Sequence, residues 1–416
     1  MKFAADLHLH SRFSRATSAN MNIRMLDAWA RIKGIRILGT GDFTHPEWLL
    51  ELKNDLEPAE PGLFKLKGKN SPTRFLFTAE ICCIYSKNGK VRKVHIVIFA
   101  PSLEVAEKIN ARLSSAGNLA ADGRPILGLD SLELAKIVFD ASDQCMVIPA
   151  HAMTPWFGIF GSKSGFDSLE ECFGEYAKYI YAIETGLSAD PGMLWRIPDG
   201  RRAALISNSD AHSPQKLARE ANIFETEIDY FEITNAIKEK DPQKFLYTVE
   251  FFPAEGKYHF DGHRACNVCF SPQESKKYNG NCPACGRPLT IGVVSRIEEL
   301  ADQPEGYRPD GTIPYRHFIP LQEIIADALK VMAASKQVQM EYDNLIKGFG
   351  SEFSVLLGPD YGELARITLP EIAEGVIRVR EGKVRVIPGY DGVFGKIKIF
   401  DDEIVEKITN TQKRLF

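Results

Sequence analysis

Two short pairs of candidate metal ligands constrain the fold of this chain more than any other feature. His8-Leu9-His10 lies near the start of the sequence, and Asp210-Ala211-His212 follows far along it. In an extended segment residues i and i+2 point to the same side, so each pair can present two ligands to one ion. Imidazole nitrogen and carboxylate oxygen are ligands that zinc, manganese and iron accept. One ion can use both pairs only if the chain closes on itself, which predicts a barrel.

Between these pairs, polar residues stand directly after short apolar runs, as Glu80 does after the run 75–79. Helix-like stretches separate several of the runs, and this alternation predicts parallel β/α units. Asn88-Gly89 predicts a hairpin turn within the same region. The carboxyl ends of parallel strands meet at one mouth, where barrels keep their chemistry. The polar residues predicted to meet there are Asp42, His45, Glu80, His95, His151, Glu184, Asp190, Asp210 and His212.

These residues resemble the motif series of the PHP (polymerase and histidinol phosphatase) superfamily. The resemblance implies an α/β fold in which residues 1–230 form a distorted seven-stranded β/α barrel that hydrolyses phosphoesters with two or three divalent ions (Zn, Mn, Mg or Fe). It assigns His8, His10, Glu80 and Asp210 to a first ion and Glu80, His95 and His151 to a second. His45 and His212 are assigned to the third ion. Asp42, Glu184 and Asp190 are expected to orient ligands or to handle the proton, although Asp190 before Pro191 also suits a helix N-cap.

The third ion site departs from the superfamily pattern. The second motif reads Asp42-Phe43-Thr44-His45, where the superfamily usually has Asp-His, and residues 11–19 contain no histidine. Two ions are therefore expected more firmly than three.

Four cysteines form a second motif. Cys266-x-x-Cys269 and Cys282-x-x-Cys285 have the spacing of a zinc ribbon, so residues 231–290 are predicted to hold one structural zinc ion. Two disulfides are the alternative, but no signal peptide is evident and we expect a reducing compartment.

The order of these features resembles the endonuclease Q family. A barrel is followed by a four-cysteine segment and then by a tail that reads Pro388-Gly389-Tyr390-Asp391-Gly392-Val393-Phe394-Gly395-Lys396. The resemblance implies a repair nuclease that cuts double- or single-stranded DNA 5′ of deaminated bases (uracil, hypoxanthine, xanthine) or abasic sites, with base flipping. It also implies that residues 291–416 form a mixed α/β region that packs on the barrel and shapes the DNA site. A cytoplasmic, nucleoid-associated location is expected, and a sliding clamp is a further candidate partner.

The charge distribution agrees with a DNA partner. The net charge is −4, yet residues 61–100 carry eight lysines and arginines against one glutamate. Such a segment suits a phosphate backbone, and a solvated lysine-rich hairpin is the alternative. Trp156 and Phe157, after His151, offer stacking faces or a packed cap. The predicted DNA-binding residues are Arg12, Arg15, Lys65, Lys67, Lys69, Arg74, Lys87, Lys90, Arg92, Lys93, Trp156 and Phe157.

Two other functions stay open from the sequence. One is a phosphoesterase of the same fold that acts on a small phosphomonoester, which would have no use for the cysteine segment or the basic residues. The other is a non-catalytic DNA-binding scaffold. A membrane partner is not expected, since no run of about eighteen apolar residues occurs.

Overall fold

The computed structural model describes residues 1–400 and confirms the predicted mixed α/β fold class. The strands are β1 (Lys2–Asp6), β2 (Ile35–Gly39), β3 (Leu56–Pro58), β4 (Phe64–Leu66), β5 (Arg74–Lys87), β6 (Lys90–Ala100), β7 (Ile126–Leu127), β8 (Met146–Pro149), β9 (Ala182–Glu184), β10 (Ala204–Ile206), β11 (Ala221–Glu225), β12 (Phe245–Glu250), β13 (Asp261–His263), β14 (Val268–Phe270), β15 (Tyr315–His317), β16 (Arg385–Ile387) and β17 (Lys396–Lys398). The α-helices are α1 (Ile23–Lys33), α2 (Pro46–Asp55), α3 (Leu103–Leu113), α4 (Ser131–Ala141), α5 (Leu169–Phe173), α6 (Pro191–Leu194), α7 (Pro198–Arg202), α8 (Tyr230–Glu239), α9 (Pro272–Lys277), α10 (Val293–Leu300), α11 (Leu321–Leu329), α12 (Lys336–Phe349), α13 (Glu352–Leu357), α14 (Tyr361–Ala365) and α15 (Pro370–Arg380).

Strands β1, β2, β5, β6, β8, β9 and β10 follow one another around a distorted barrel. The pairs β1–β2, β2–β5 and β9–β10 are parallel, whereas β6 runs antiparallel to both β5 and β8. Loop backbone closes the two remaining joints, through Ala152 N to Glu184 O and Asp210 N to His8 O, each 2.9 Å. The antiparallel β6 is the return strand of the hairpin predicted at Asn88-Gly89, set among parallel strands.

The β5–β6 hairpin has the predicted turn. Asn88 and Gly89 have φ angles of 54° and 72°, the left-handed conformations that a two-residue type I′ turn requires. Strand β5 is 14 residues long. Its first residues therefore lie at one end of the barrel, and its last residues extend past the opposite end.

The central sheet continues beyond the predicted boundary at residue 230. Strand β11 pairs with β1, β12 pairs with β11, and β15 pairs with β12. The polar segment 238–242, close to that boundary, contains the C-terminal end of α8, where Lys240 adopts a left-handed φ of 52°. A turn between a helix and a paired strand has the same polar composition as a linker.

The described part of the C-terminal region, residues 291–400, contains helices α10 to α15 and strands β15 to β17, in agreement with the predicted mixed α/β composition. This region is tied to the barrel by Lys33 at the end of α1, whose ammonium is 2.5 Å from the buried carboxylate of Glu352. Tyr342 donates a hydrogen bond of 2.7 Å to the same carboxylate. Residues 401–416 of the predicted third region lie outside the described residues. Within residues 1–400, no helix has the length and hydropathy needed to cross a bilayer.

Candidate metal centre

Two groups of candidate metal ligands lie at the mouth of the barrel and share one carboxylate. The first group is His8, His10, Glu80 and Asp210, and the second is Glu80, His95 and His151. Within each group the ligand atoms lie within 4.8 Å of one another. Oε2 of Glu80 faces the first group, and Oε1 faces the second. Residues far apart in sequence thus converge with Glu80 between them.

The first group contains buried atoms without a hydrogen-bond partner. Nε2 of His10 is 3.1 Å from both Glu80 Oε2 and Asp210 Oδ1, but neither approach has hydrogen-bond geometry. Nε2 of His8 is equally unpaired, 3.5 Å from Glu80 Oε2. Unpaired buried polar atoms are costly, and a cation among them removes that cost. The residues present therefore fit a divalent ion with nitrogen and oxygen ligands.

The second group surrounds the other oxygen of Glu80. Nδ1 of His95 is 2.8 Å from Oε1, and Nε2 of His151 is 3.1 Å from the same atom. The opposite nitrogen of His151, Nδ1, lies 2.7 Å from the hydroxyl of Thr154, which fixes the orientation of the ring. This set also fits a divalent ion.

Asp42 and Glu184, predicted to orient ligands or to handle the proton, lie behind the candidate ligands and contact their outer ring nitrogens. Asp42 Oδ1 is 3.0 Å from Nδ1 of His10, and Glu184 Oε2 is 3.0 Å from Nδ1 of His8. Glu184 also accepts hydrogen bonds from the backbone N–H of His151 and from Asn208. Carboxylates in this position set the tautomer and basicity of metal-binding imidazoles. Both carboxylates therefore lie where a positioning group would, one hydrogen bond behind a candidate ligand.

Asp190 and His45 lie outside both groups. Asp190 caps α6 by accepting from Met193 N, and its other oxygen is 3.0 Å from Nε2 of His317. It therefore occupies the N-cap that Pro191 allows. His45 caps α2, and its ring stacks on Phe13 at 4.4 Å between centroids. Neither is brought to the metal ligands, because each side chain is used at the start of a helix.

His212, assigned to a third ion, lies beside the first group. Its ring centroid is 4.6 Å from that of His10, and Nδ1 is 3.6 Å from Asp210 Oδ1. No third cluster of ligand atoms is formed at the mouth within residues 1–400. The side chain is 32% exposed, so its imidazole is within reach of solvent at the mouth.

The buried carboxylates control the charge of the ligand histidines. Burial lowers the pKa of His8, but Glu184 and Glu80 outweigh it and hold that pKa well above 6.5. Burial likewise opposes protonation of His10, and Asp42 and Asp210 raise its pKa well above 6.5. Before an ion binds, the imidazoles of His8 and His10 are therefore protonated at neutral pH.

We expect ion binding to release these protons. A ligand imidazole must be neutral, so binding at pH 7.5 displaces protons from His8 and His10, and affinity falls as the pH falls. Calorimetric titration with manganese in two buffers of different ionisation enthalpy measures the number released, about one to two per barrel. Release of no protons would contradict the protonated state of both histidines in the ion-free site.

Arg124 is a residue at the mouth that the sequence does not single out. Its Nη1 is 3.0 Å from Glu80 Oε2. Partial burial lowers the pKa of Arg124, but Glu80 and Asp210 raise it above its usual value, so the guanidinium stays charged. The preceding Gly123 touches Asp42 and Ser14 so closely that a Cβ atom would lie 2.3 Å from each. Only glycine permits this approach, which brings Arg124 to the site.

The cysteine segment gathers a ligand set that differs from the predicted one. The clustered atoms belong to His263, Cys266, Cys282 and Cys285, and Cys269 is not among them. His263 ends β13, and its Nδ1 is 3.4 Å from Sγ of Cys285. His263 and Cys266 have the same x-x spacing as a cysteine knuckle. One imidazole and three thiolates form a common structural zinc set.

The substitution Cys282→Ser should therefore abolish zinc binding in this segment, whereas Cys269→Ser should leave zinc binding intact. Zinc content per chain, measured by mass spectrometry of metals after dialysis, distinguishes the two variants. Loss of one zinc ion from both would show that Cys269, rather than His263, is the fourth ligand.

Comparison with solved structures identifies the family. The crystal structure of the lesion-specific endonuclease PfuEndoQ from Pyrococcus furiosus has a TM-score of 0.86 and 31% sequence identity, and the similarity covers 97% of each chain. This chain belongs to the endonuclease Q family. A second crystal structure, endonuclease Q with a 27-mer duplex that carries an abasic lesion at the active site, has a TM-score of 0.85 and 31% identity over 98% of each chain.

Two uncharacterised proteins are also similar to this endonuclease Q family member. YqxK of Bacillus subtilis (strain 168) is 31% identical over 408 residues, which is 95% of this chain and 99% of YqxK. MJ0043 of Methanocaldococcus jannaschii is 36% identical over 260 residues, which is 59% of this chain but 31% of MJ0043. The chain thus matches under a third of that longer protein. The family model of the MJ0043 C-terminal domain matches residues 320–383, which contain helices α11 to α15.

The basic residues of this endonuclease Q family member divide between two ends of the barrel. Lys65 and Arg74 lie level with the start of β5. Lys65 pairs with Glu57, and Arg74 pairs with Glu60. Glu80 lies six residues further along the strand, about 20 Å at about 3.3 Å a residue. The predicted DNA-binding residues at the end away from the metal groups are Lys65, Lys67, Lys69 and Arg74. Those on the β5–β6 hairpin, beyond Glu80, are Lys87, Lys90, Arg92 and Lys93.

The predicted arginines and aromatic residues of the mouth have different surroundings. Arg12 pairs with Glu51, and Arg15 pairs with Asp122 while its side chain stays 80% exposed. Trp156 is 40% exposed, with its ring edge against Tyr258. Phe157 instead stacks on His95 at 4.4 Å and so supports a candidate ligand. Trp156 is therefore the more accessible stacking face of the two.

Proposed function

We propose that this chain is a metal-dependent endonuclease that cuts one DNA strand 5′ of a deaminated base or an abasic site. The observation that carries the proposal is the pair of ligand groups that share Glu80 in a member of the endonuclease Q family. A carboxylate shared by two ion sites is typical of enzymes that hydrolyse phosphoesters. When bound, such ions supply Lewis acidity and lower the pKa of water toward neutrality.

The chain's own residues have separate tasks in this proposal. Glu80 holds the two ligand groups together, and Asp42 and Glu184 fix the His10 and His8 rings behind it. Arg124 places a permanent positive charge beside Glu80, where it can contact a phosphate oxygen of the scissile bond. The products are a 3′-hydroxyl and a 5′-phosphate on the damaged nucleotide.

A cavity between α6, α10 and the segment 252–260 offers room for an extruded nucleotide. Its volume is about 620 Å³, within the range of ligand pockets of about 300–1,000 Å³. Asp190, six residues after Glu184, lines it together with Trp195, His259 and Tyr315. These side chains combine stacking faces with hydrogen-bonding groups, which recognition of a flipped base requires.

A nicking assay tests the proposal. End-labelled duplexes with one deoxyuridine, deoxyinosine, deoxyxanthosine or abasic site, and an undamaged control, are incubated with manganese, magnesium or zinc and separated on denaturing gels. We expect one metal-dependent cut immediately 5′ of the lesion. Rapid hydrolysis of a phosphomonoester without DNA cleavage would instead favour the small-substrate phosphoesterase, and DNA binding without either reaction would favour the scaffold. The sliding-clamp partner and the nucleoid-associated location stay predictions.

A further inference from the structure

The loop 388–395, between β16 and β17, exposes most of a large apolar side chain to solvent. Phe394 is 65% exposed and Val393 is 38% exposed, and Val386 and Ile387 on β16 are 43% and 38% exposed. A large exposed apolar patch on an otherwise polar surface commonly marks an interaction site. This segment belongs to the tail whose sequence resembles the endonuclease Q family, but the proposed hydrolysis at the barrel mouth does not involve it.

The loop has a fixed shape. Residues Tyr390 to Val393 form a tight turn in which Asp391 and Gly392 have φ angles of 41° and 85°. Backbone hydrogen bonds join Tyr390 and Val393 in both directions, at 3.0 and 2.7 Å. The carboxylate of Asp391 accepts from Arg264 N and from the hydroxyl of Thr290, both at 2.7 Å. The turn is therefore anchored to the cysteine segment and holds its apolar side chains in place.

A chain of contacts connects the loop to the barrel mouth. Gly389 and Gly395 donate backbone hydrogen bonds to Ala254 and Glu255, and Gly392 donates to Lys257. The next residue, Tyr258, meets the ring of Trp156 at 5.5 Å between centroids. Trp156 belongs to the loop that follows the candidate ligand His151. Phe394, which contacts Lys257, and Trp156, which contacts Tyr258, are thus joined through two adjacent residues.

The surroundings of Phe394 are positively charged. The ammonium of Lys257 lies 4.4 Å from the centre of the Phe394 ring. Lys396 and Lys398 follow on β17, and both side chains are exposed. An apolar tip with one lysine against its ring and two exposed lysines on the next strand suits a duplex, since lysines can contact phosphates while the ring contacts bases. An apolar protein partner would have no need of these charges.

We propose that Phe394 is a wedge that enters the base stack next to the damaged nucleotide and fills the space left when that nucleotide turns out. Extrusion breaks the stacking and pairing of that nucleotide, and an inserted ring recovers part of the lost stacking. The inference rests on the proposed function, because it requires a DNA lesion at the barrel mouth. It assigns a specific task in substrate distortion to a side chain outside the metal site.

The test separates distortion of the duplex from cleavage. 2-Aminopurine is placed beside deoxyuridine in a fully paired duplex, and its fluorescence is followed on binding in EDTA, where no nicking occurs. Single-turnover nicking is then measured on that duplex and on a second one whose deoxyuridine lies in a three-base mismatch and is already unstacked. The variants are Phe394→Ala, Phe394→Trp and, as an exposed aromatic control on α14, Tyr361→Ala.

Phe394→Ala should lose most of the fluorescence rise and nick the paired duplex about tenfold more slowly, as loss of one base–aromatic stack predicts. The mismatched duplex should be nicked within about twofold of the wild-type rate, because its unstacking cost is already met. Phe394→Trp should retain both signals, and Tyr361→Ala should behave as wild type. An equal loss on both duplexes, or no loss on either, would overturn the wedge. The wild-type protein could also show a fluorescence rise that depends on Phe394 but nick neither duplex. That result would contradict the proposed nuclease activity and still support the wedge.

Discussion

The substitution Glu80→Gln should lower the single-turnover nicking rate by at least about a thousandfold. A loss of this size is expected when both ion sites stop stabilising the charge of the transition state. Oε2 of Glu80 is 3.1 Å from His10 Nε2, and Oε1 is 2.8 Å from His95 Nδ1. Glutamine keeps the shape of the side chain, but its NH₂ group cannot bind a cation, and the negative charge is lost. Both groups are therefore weakened by one substitution.

The matched control for Glu80 is Glu60→Gln. Glu60 also pairs with an arginine, Arg74, but at the barrel end away from the metal groups. The control should keep wild-type nicking and ion content, whereas Glu80→Gln should bind fewer manganese ions and retain the zinc ion of the cysteine segment. Nicking by Glu80→Gln within about tenfold of wild type would show that the two ligand groups do not carry the chemistry.

The convergence of ligands could be predicted from sequence because it follows from strand periodicity. His8 and His10 follow β1 at i and i+2, and His151 follows β8 at the same end of the barrel. For Asp42 and Glu184 the sequence left two roles open, orienting ligands or handling the proton, and could not decide between them. A carboxylate that binds an ion and one that supports an imidazole both follow a strand, and the difference is a few ångströms of side-chain placement.

Charge counting along the sequence could not show where the cations of residues 61–100 would lie in space. The cations of residues 61–100 are close in sequence, but β5 is extended and carries Arg74 and Lys87 to opposite ends of the barrel. A sum over residues in a window ignores this separation. The zinc ligands show a related limit. His263-x-x-Cys266 and Cys266-x-x-Cys269 have the same spacing in the sequence, and only the fold distinguishes which of them joins Cys282 and Cys285.

Arg124 shows what sequence patterns could not supply at the mouth. It lies in the loop before β7, where no apolar run or spaced motif indicates a function. Its position depends on Gly123, which allows the loop to touch Asp42, and on Asp122, whose side chain accepts from Arg124 N at 3.1 Å. These are contacts between distant segments, and they become visible only in the folded chain.

Replacing Arg124 with alanine should lower kcat by about a hundredfold to a thousandfold, the usual loss when a preorganised charge at a developing oxyanion is removed. The guanidinium already faces Glu80 Oε2 at 3.0 Å, and an arriving phosphate would offer it a second anionic partner. Since Arg124 carries no ligand atom, the ion content should not change. Lysine should restore only part of the rate, because it keeps the charge but loses the planar fork.

Metal analysis and steady-state kinetics on Arg124→Ala separate this role from a structural one. Arg112→Ala is the control, because Arg112 pairs with Asp140 on an exposed face and lies outside the candidate metal groups. A fall in kcat with unchanged ion content and little change in KM means that Arg124 acts on the transition state rather than on binding. A loss of bound ions in parallel with the rate would mean that Arg124 only holds Glu80 in place. The catalytic charge would then have to come from another residue at the mouth, and the exposed Arg15, which pairs with Asp122 in the same loop, would be the next arginine to replace.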